Sequence, residues 1–178
     1  MDNKPKRFLS RAILATLYVV GDMTMKSFFA HPYCHYFCKH YKQMSIYSSL
    51  YKLRRQKLIR KIGSNSFQLT REGKHEAIWA SAETHKYLPR EKNNWDGKWR
   101  VLIFDIPEKK RSKRDDFRDV LDSFGFKELQ KSVWITPYKI PRIIDDILWE
   151  EKLIGYTRVM TISEIDYDED LKKHFGLM

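Results

Sequence analysis

From Leu88 to Gly97 the chain reads LPREKNNWDG, with Pro89, Asn93, Asn94 and Gly97 in one short run. Neither the helical nor the strand hydrophobic period continues across it, and its residues are those of turns and linkers. It falls near the middle of 178 residues, so each side holds a segment at the small end of domain size. The predicted organisation is a first domain over 1–90, a linker over 91–97, a second domain over 98–165 and an acidic C-terminal tail over 166–178.

Charge divides at the same place. The whole chain carries a formal +11, but residues 1–90 hold 17 Lys and Arg against five Asp and Glu, while residues 91–178 hold 17 against 18. All of the excess positive charge lies in the first half, which suits a module that binds a polyanion joined to a nearly neutral domain. Aromatic residues make up 14% of the chain, ample for packed cores and too many for a disordered one. The longest apolar run, Ala12 to Gly21, is about half of a membrane span. No secretory pattern opens the sequence. The two cysteines, Cys34 and Cys38, cannot build a disulfide framework. The expectation is a cytoplasmic chain with no membrane partner.

In the first half, Phe8–Val20 predicts a buried helix stopped by Gly21, followed by a helix over Met23–Ala30 and a third helical piece after Pro32. The informative segment runs from Met44 or Ser45 to Lys57. At 100° per residue, Ile46, Leu50, Leu53 and the stem of Lys57 share one face. Ser48, Tyr51, Lys52 and Arg55 lie opposite, flanked by Tyr47 and Arg54. An apolar back and a front of hydroxyls and long cations suit a helix lying in the major groove, although a solvated amphipathic helix has the same pattern. A hairpin follows: Leu58–Ile62, the turn Gly63–Ser66, then Phe67–Leu69, with Arg60 and Lys61 near its tip. Thr70 offers an N-cap for a helix to about Tyr87. This order predicts a winged helix-turn-helix on double-stranded DNA, with Arg60 and Lys61 on phosphates, adding affinity but little specificity.

His31, Cys34, His35, Cys38 and His40 crowd one stretch. Zinc needs four donors about 2.0–2.3 Å from one ion, whereas a helix would spread this group over roughly 10 Å. Zinc is not expected.

The second half predicts a ferredoxin-like βαββαβ unit, an α+β fold. Its elements are a strand over Trp99–Phe104, a helix over Glu108–Phe124 stopped by Gly125, and strands over Phe126–Leu129 and Ser132–Thr136 around Gln130 and Lys131. A helix from Pro141 to Lys152, stopped by Gly155, and a strand over Tyr156–Ile162 complete it. Glu164–Asp170 reads as a partly ordered acidic tail.

Trp95-Asp96-Gly97-Lys98-Trp99-Arg100, then Phe104-Asp105-Ile106-Pro107-Glu108, resembles the middle domain of the phenylacetate-catabolism repressor (PaaX-like) family, over about residues 8–162. Asp105 at a strand end, Gly125 and Gln130-Lys131-Ser132-Val133-Trp134 resemble the small CRISPR-associated ferredoxin-fold adaptation nuclease, over about 98–162. The second resemblance implies a homodimer that brings two copies of Asp105 across a two-fold axis. Paired carboxylates repel unless a divalent cation sits between them, and oxygen ligands suit Mg²⁺ or Mn²⁺. Such an ion could activate water against a phosphodiester. Asp105 is then the catalytic and metal-binding residue, with Lys110, Arg111, Arg114 and Ser132 as weaker phosphate contacts. The first resemblance implies a transcriptional repressor with no catalytic activity.

Overall fold

A computed structural model of the chain describes residues 4–24, 26, 30, 41–85 and 95–177. The chain is mixed α/β and divides into two compact units, Met1–Leu88 and Pro89–Met178. Among the described residues no helix is long and apolar enough to cross a membrane.

The first unit runs α1 (Lys4–Val20), β1 (Met23–Thr24), α2 (Gln43–Arg55), β2 (Ile59–Ile62), β3 (Ser66–Leu69) and α3 (Arg71–His85). Leu9, Ala12, Ile13 and Leu17 of α1 form one core with Ile46, Leu50 and Leu53 of α2, Ile59, and Ala77 and Ala80 of α3. Arg11 ties α1 to α3, donating to both carboxylate oxygens of Glu83 at 2.7 and 2.8 Å and to Glu76 at 2.8 Å. Gly21 ends α1 with φ +82°, a backbone that side-chain-bearing residues avoid.

Two local expectations for this unit change. Met23 and Thr24 do not begin a helix; they form an edge strand on Phe67 and Ser66 of β3. The turn at Gly21 and Asp22 delivers them to an open strand edge, and long-range pairing overrides their helical spacing. Lys57 does not continue α2 either. It adopts φ +59°, while its N–H donates to the Arg54 carbonyl at 2.9 Å and that of Leu58 to the Leu53 carbonyl at 3.0 Å. This is a Schellman ending with lysine where glycine is usual, and it leaves Lys57 exposed.

The second unit runs β4 (Trp99–Phe104), a 3₁₀ turn over Glu108–Lys110, α4 (Arg111–Ser123), β5 (Lys127–Gln130), β6 (Val133–Thr136), α5 (Arg142–Glu150), β7 (Thr157–Ile162) and α6 (Glu169–Phe175). The sheet is four-stranded and antiparallel in the order β5-β6-β4-β7. Central β4 is apolar almost throughout because both of its faces are covered. Phe104 meets Phe117 of α4 edge-on, ring centroids 5.6 Å apart. On the other face Trp99 and Val101 join Ile135 and Leu171 of α6. The helix α5 ends at Glu150, short of the expected Lys152, and the left-handed stop falls on Lys152, with φ +55°, rather than on Gly155; the Leu153 N–H closes the turn on the Leu148 carbonyl at 2.7 Å.

The acidic stretch after β7 is also not a loose tail. Leu171 is buried and Phe175 and Leu177 pack on the sheet. The carboxylates are held as well. Asp168 accepts from Trp99 Nε1 at 3.2 Å and pairs with Lys172 at 2.8 Å, and Asp170 pairs with Lys127 at 2.9 Å. Four charges in five residues hid the apolar spacing of Leu171, Phe175 and Leu177.

Trp95 and Asp96 also belong to this unit's packing. Trp95 lies 5.2 Å from the Trp99 ring, and Asp96 takes two 2.6 Å hydrogen bonds from the buried Arg100. That guanidinium holds the Asp96 carboxyl down at about 2. An unfolded Asp titrates near 3.9, so the folded value is depressed. The pair's stabilisation is complete above pH ~4 and is lost as pH falls towards 2. Asp96→Asn is expected to lower the second unit's melting temperature at neutral pH and to flatten part of the loss between pH ~4 and ~2. Thermal scans across that range read both effects. Asp168 and Asp170, whose carboxyls are held low mainly by Lys172 and Lys127, contribute with the same sign.

Candidate nucleic-acid interface

The surface builds outward from α2. Ile46, Leu50 and Leu53 anchor its back in the core, which forces Tyr47, Ser48, Tyr51, Lys52, Arg54 and Arg55 outward, and all six are exposed. Tyr51 is 65% and Tyr47 44% accessible, one helical turn apart. Ser48 donates its hydroxyl proton to the Met44 carbonyl at 2.8 Å, so its free lone pairs face outward as acceptors. Lys52, Arg54 and Arg55 occupy the last turn, where the helix dipole favours cations. No Asp or Glu occurs between Asp22 and Glu72, so no local carboxylate neutralises this face.

The hairpin adds two cations on opposite sides. Arg60 pairs with Gln68 and Lys61 with Phe67, and successive strand residues face opposite ways. Lys61 therefore shares the face of core-packed Phe67, beyond the end of the core, while Arg60 lies on the outer face. Arg60 is also oriented. Its Nε donates to Gln68 Oε1 at 2.7 Å and its Nη2 to the same oxygen, while Gln68 Nε2 donates to Asp22 at 2.9 Å. Gln68 and Asp22 were not legible as positioning residues. The Arg60–Gln68 register could have been inferred from the hairpin, but the long-range Asp22 contact carries no sequence signal.

The junction from hairpin to α3 is tightly built. Thr70 Oγ1 accepts from the Gly73 N–H at 3.0 Å and donates to the Lys57 carbonyl at 2.6 Å. One side chain thus caps α3 and binds the end of α2. Gly73 lies directly against Leu58; a Cβ there would sit 1.7 Å from the Leu58 carbonyl oxygen.

In the second unit, Asp105 follows β4 with its N–H donating to the Tyr156 carbonyl at 2.8 Å. Its carboxylate is exposed. Among the described residues no cluster of three or more His, Cys, Asp or Glu could hold a metal. Lys110 Nζ donates to the Lys152 carbonyl at 2.9 Å and lies 4.7 Å over the Tyr156 ring. Arg114 donates to the Ile106 carbonyl at 3.2 Å and pairs with Glu108 at 2.9 Å. Both cations therefore brace the fold around Asp105. Arg111 stays exposed, with looser 3.6 Å pairs to Glu108 and Asp115. Ser132 is half-buried and its carbonyl accepts from the Phe104 N–H at 3.0 Å. His31, Cys34, His35, Cys38 and His40 lie outside the described residues, as does the third helical piece after Pro32.

The chain is thus a two-unit mixed α/β protein with an acid-free cationic face on the first unit and an antiparallel sheet in the second. Residues 92–173 match the family model of the PaaX protein central Cas2-like domain. The second half of the chain is thus similar to the PaaX central Cas2-like domain, and that match takes in most of α6. No curated protein matches the chain.

Proposed function

We propose that the chain is a PaaX-type transcription regulator that binds double-stranded DNA as a homodimer. In this reading the first unit is a winged helix-turn-helix, with α2 reading the major groove and the β2–β3 hairpin as the wing. The second unit is a ferredoxin-like dimerisation domain. The strand order β5-β6-β4-β7, with α4 and α5 as the two crossovers, supports that assignment. One observation carries the DNA reading: six hydroxyl, aromatic and cationic side chains stand out from one helix whose back is buried. Tyr47, Ser48, Tyr51 and Lys52 suit base edges and the phosphates beside them, while Arg54, Arg55, Arg60 and Lys61 suit phosphates.

Fluorescence anisotropy with a labelled duplex tests the reading. Affinity is expected to fall linearly on a log–log salt plot, with a slope of about −0.9 per phosphate neutralised. A salt-insensitive isotherm rules the reading out.

A second reading, phosphodiester cleavage assisted by Mg²⁺ or Mn²⁺ at paired Asp105, is favoured by the exposed carboxylate at the end of β4. Asp105 would hold the ion through oxygen. Wild type and Asp105→Ala assayed side by side with each metal, and with chelator, decide it. Cleavage lost in the variant with binding retained supports an enzyme, and intact DNA throughout leaves the regulator.

A further inference from the structure

The exposed face of α2 is not uniform along its length. All of its charge lies in the last turn, at Lys52, Arg54 and Arg55, while Gln43 to Tyr51 carry none. Met44, Ser48, Tyr51 and Arg55 follow one another at intervals of four, three and four residues, so they form a single line along the helix. The buried side chains, Ile46, Ser49, Leu50 and Leu53, lie on the far side. The line begins in the first turn with Met44, an unbranched apolar side chain that is 74% accessible. Three of the five large apolar side chains exposed among the described residues of this unit, Met44, Tyr47 and Tyr51, stand on this one helix. The two tyrosines end in hydroxyls that suit water. Met44 carries only a weakly accepting thioether, and its apolar surface gains nothing by staying in water.

We propose that Met44 is a specificity-determining residue of α2, reading the C5-methyl group of a thymine in the major groove. This rests on the duplex-binding reading of the first unit and adds what the front of the helix recognises. In a helix-turn-helix the N-terminal residues of the recognition helix meet base edges, and Met44 is where the outward line enters that turn. Among the groups that base pairs present in the major groove, the thymine methyl is the apolar one. The others are hydrogen-bond donors and acceptors, which a thioether serves poorly. Guanine is ordinarily met by arginine or lysine, and neither occurs in α2 before Lys52. Ser48, one turn on, does not replace them, because its one proton is turned back to the Met44 carbonyl at 2.8 Å. The cation on the same line, Arg55, lies eleven residues from Met44, roughly 16 Å along the axis. Base reading at one end and phosphate attraction at the other are therefore separable.

Selection by the full chain from a pool of random-sequence duplexes supplies the probe. In the selected duplex each thymine is then replaced singly by uracil, which removes the methyl and no hydrogen-bonding group. Wild type is expected to lose about three- to fivefold in affinity at one thymine for each bound α2. Met44→Ala should bind the thymine and uracil duplexes alike with an unchanged log–log salt slope, and Met44→Leu should retain the discrimination. Met44→Gln, of similar length but with a polar end, serves as a second variant and should lose it as Met44→Ala does. Met44 is exposed, so all three variants should melt like wild type. A pool that enriches no sequence, a duplex with no uracil penalty, or a penalty that persists in Met44→Ala overturns the reading of thymine by Met44 and leaves duplex binding standing. A wild type without salt-dependent affinity for any duplex overturns both together.

Discussion

Replacing Gly73 with alanine is expected to cost the first unit about 3–5 kcal/mol, more than small-to-large substitutions usually do. In an exposed helix the same change stabilises by roughly 0.5–1 kcal/mol, because alanine holds helical backbone better than glycine. The sign reverses here because the new methyl would lie 1.7 Å from a backbone oxygen, that of Leu58. Backbone cannot rotate aside as a side chain can, so α3 must move away from the start of β2. That shift opens the Thr70 N–H bond to the same carbonyl at 3.0 Å and the Thr70 cap on Gly73, and a lost cap alone costs about 1 kcal/mol. At about 4–8 °C per kcal/mol for a unit of this size, the first unit's melting should fall by roughly 12–40 °C. Thermal unfolding followed by circular dichroism measures it. A variant that melts within a few degrees of wild type contradicts the close approach of α3 to Leu58.

Gly73 also marks where sequence reasoning reaches its limit. Inside a helix a glycine registers only as a small penalty, and the necessity of this one, in the first turn of α3, comes from a neighbour fifteen positions back that no local period reveals. The elements that were legible bury one regular face. The helix α2 shows Ile46, Leu50 and Leu53 at helical spacing, and β4 runs Trp99–Phe104 as a dense apolar strand because it is covered on both sides. Where local chemistry competed with tertiary contact, tertiary contact prevailed. Met23 and Thr24 joined β3 instead of a helix, and α6 docked Leu171 and Phe175 despite the acids around them. The helix α5 was expected to reach about Lys152 with Gly155 as its stop, but it ends at Glu150 and the left-handed turn falls on Lys152. A left-handed lysine is uncommon enough that glycine is the natural guess.

The candidate surface was legible in part, and for a definable reason. Outward side chains of a helix follow directly from where its apolar back lies, so Tyr47, Ser48, Tyr51, Lys52, Arg54 and Arg55 could all be placed from periodicity. A strand carries the same kind of information in its alternation, which sets Arg60 and Lys61 on opposite faces. What periodicity does not contain is which cations the fold consumes internally. Lys110 and Arg114 looked like free charges on a helix face, yet each bonds to a carbonyl of another segment.

Charge reversal on α2 gives the largest expected functional effect. Lys52→Glu with Arg55→Glu removes two cations from the exposed face and installs two anions. A hydrogen bond to a charged group contributes about 1.5–3 kcal/mol, so losing two phosphate contacts should weaken duplex binding by about 100-fold or more at 0.1 M salt. The log–log salt slope should become shallower by about two, one unit for each phosphate released. Part of any loss could come from the helix itself, because both residues sit in the last turn, where the dipole disfavours carboxylates by about 0.3–1 kcal/mol each. The neutral pair Lys52→Gln and Arg55→Gln separates the two causes. It should keep wild-type melting and still lose both units of salt slope. Lys173→Glu, exposed on α6, should leave affinity unchanged, since it alters net charge without touching the α2 face. If all three variants bind the duplex equally, attraction is a property of overall charge and α2 has no special place in it. If only the α2 variants fail, the exposed face of that helix is where the nucleic acid lies.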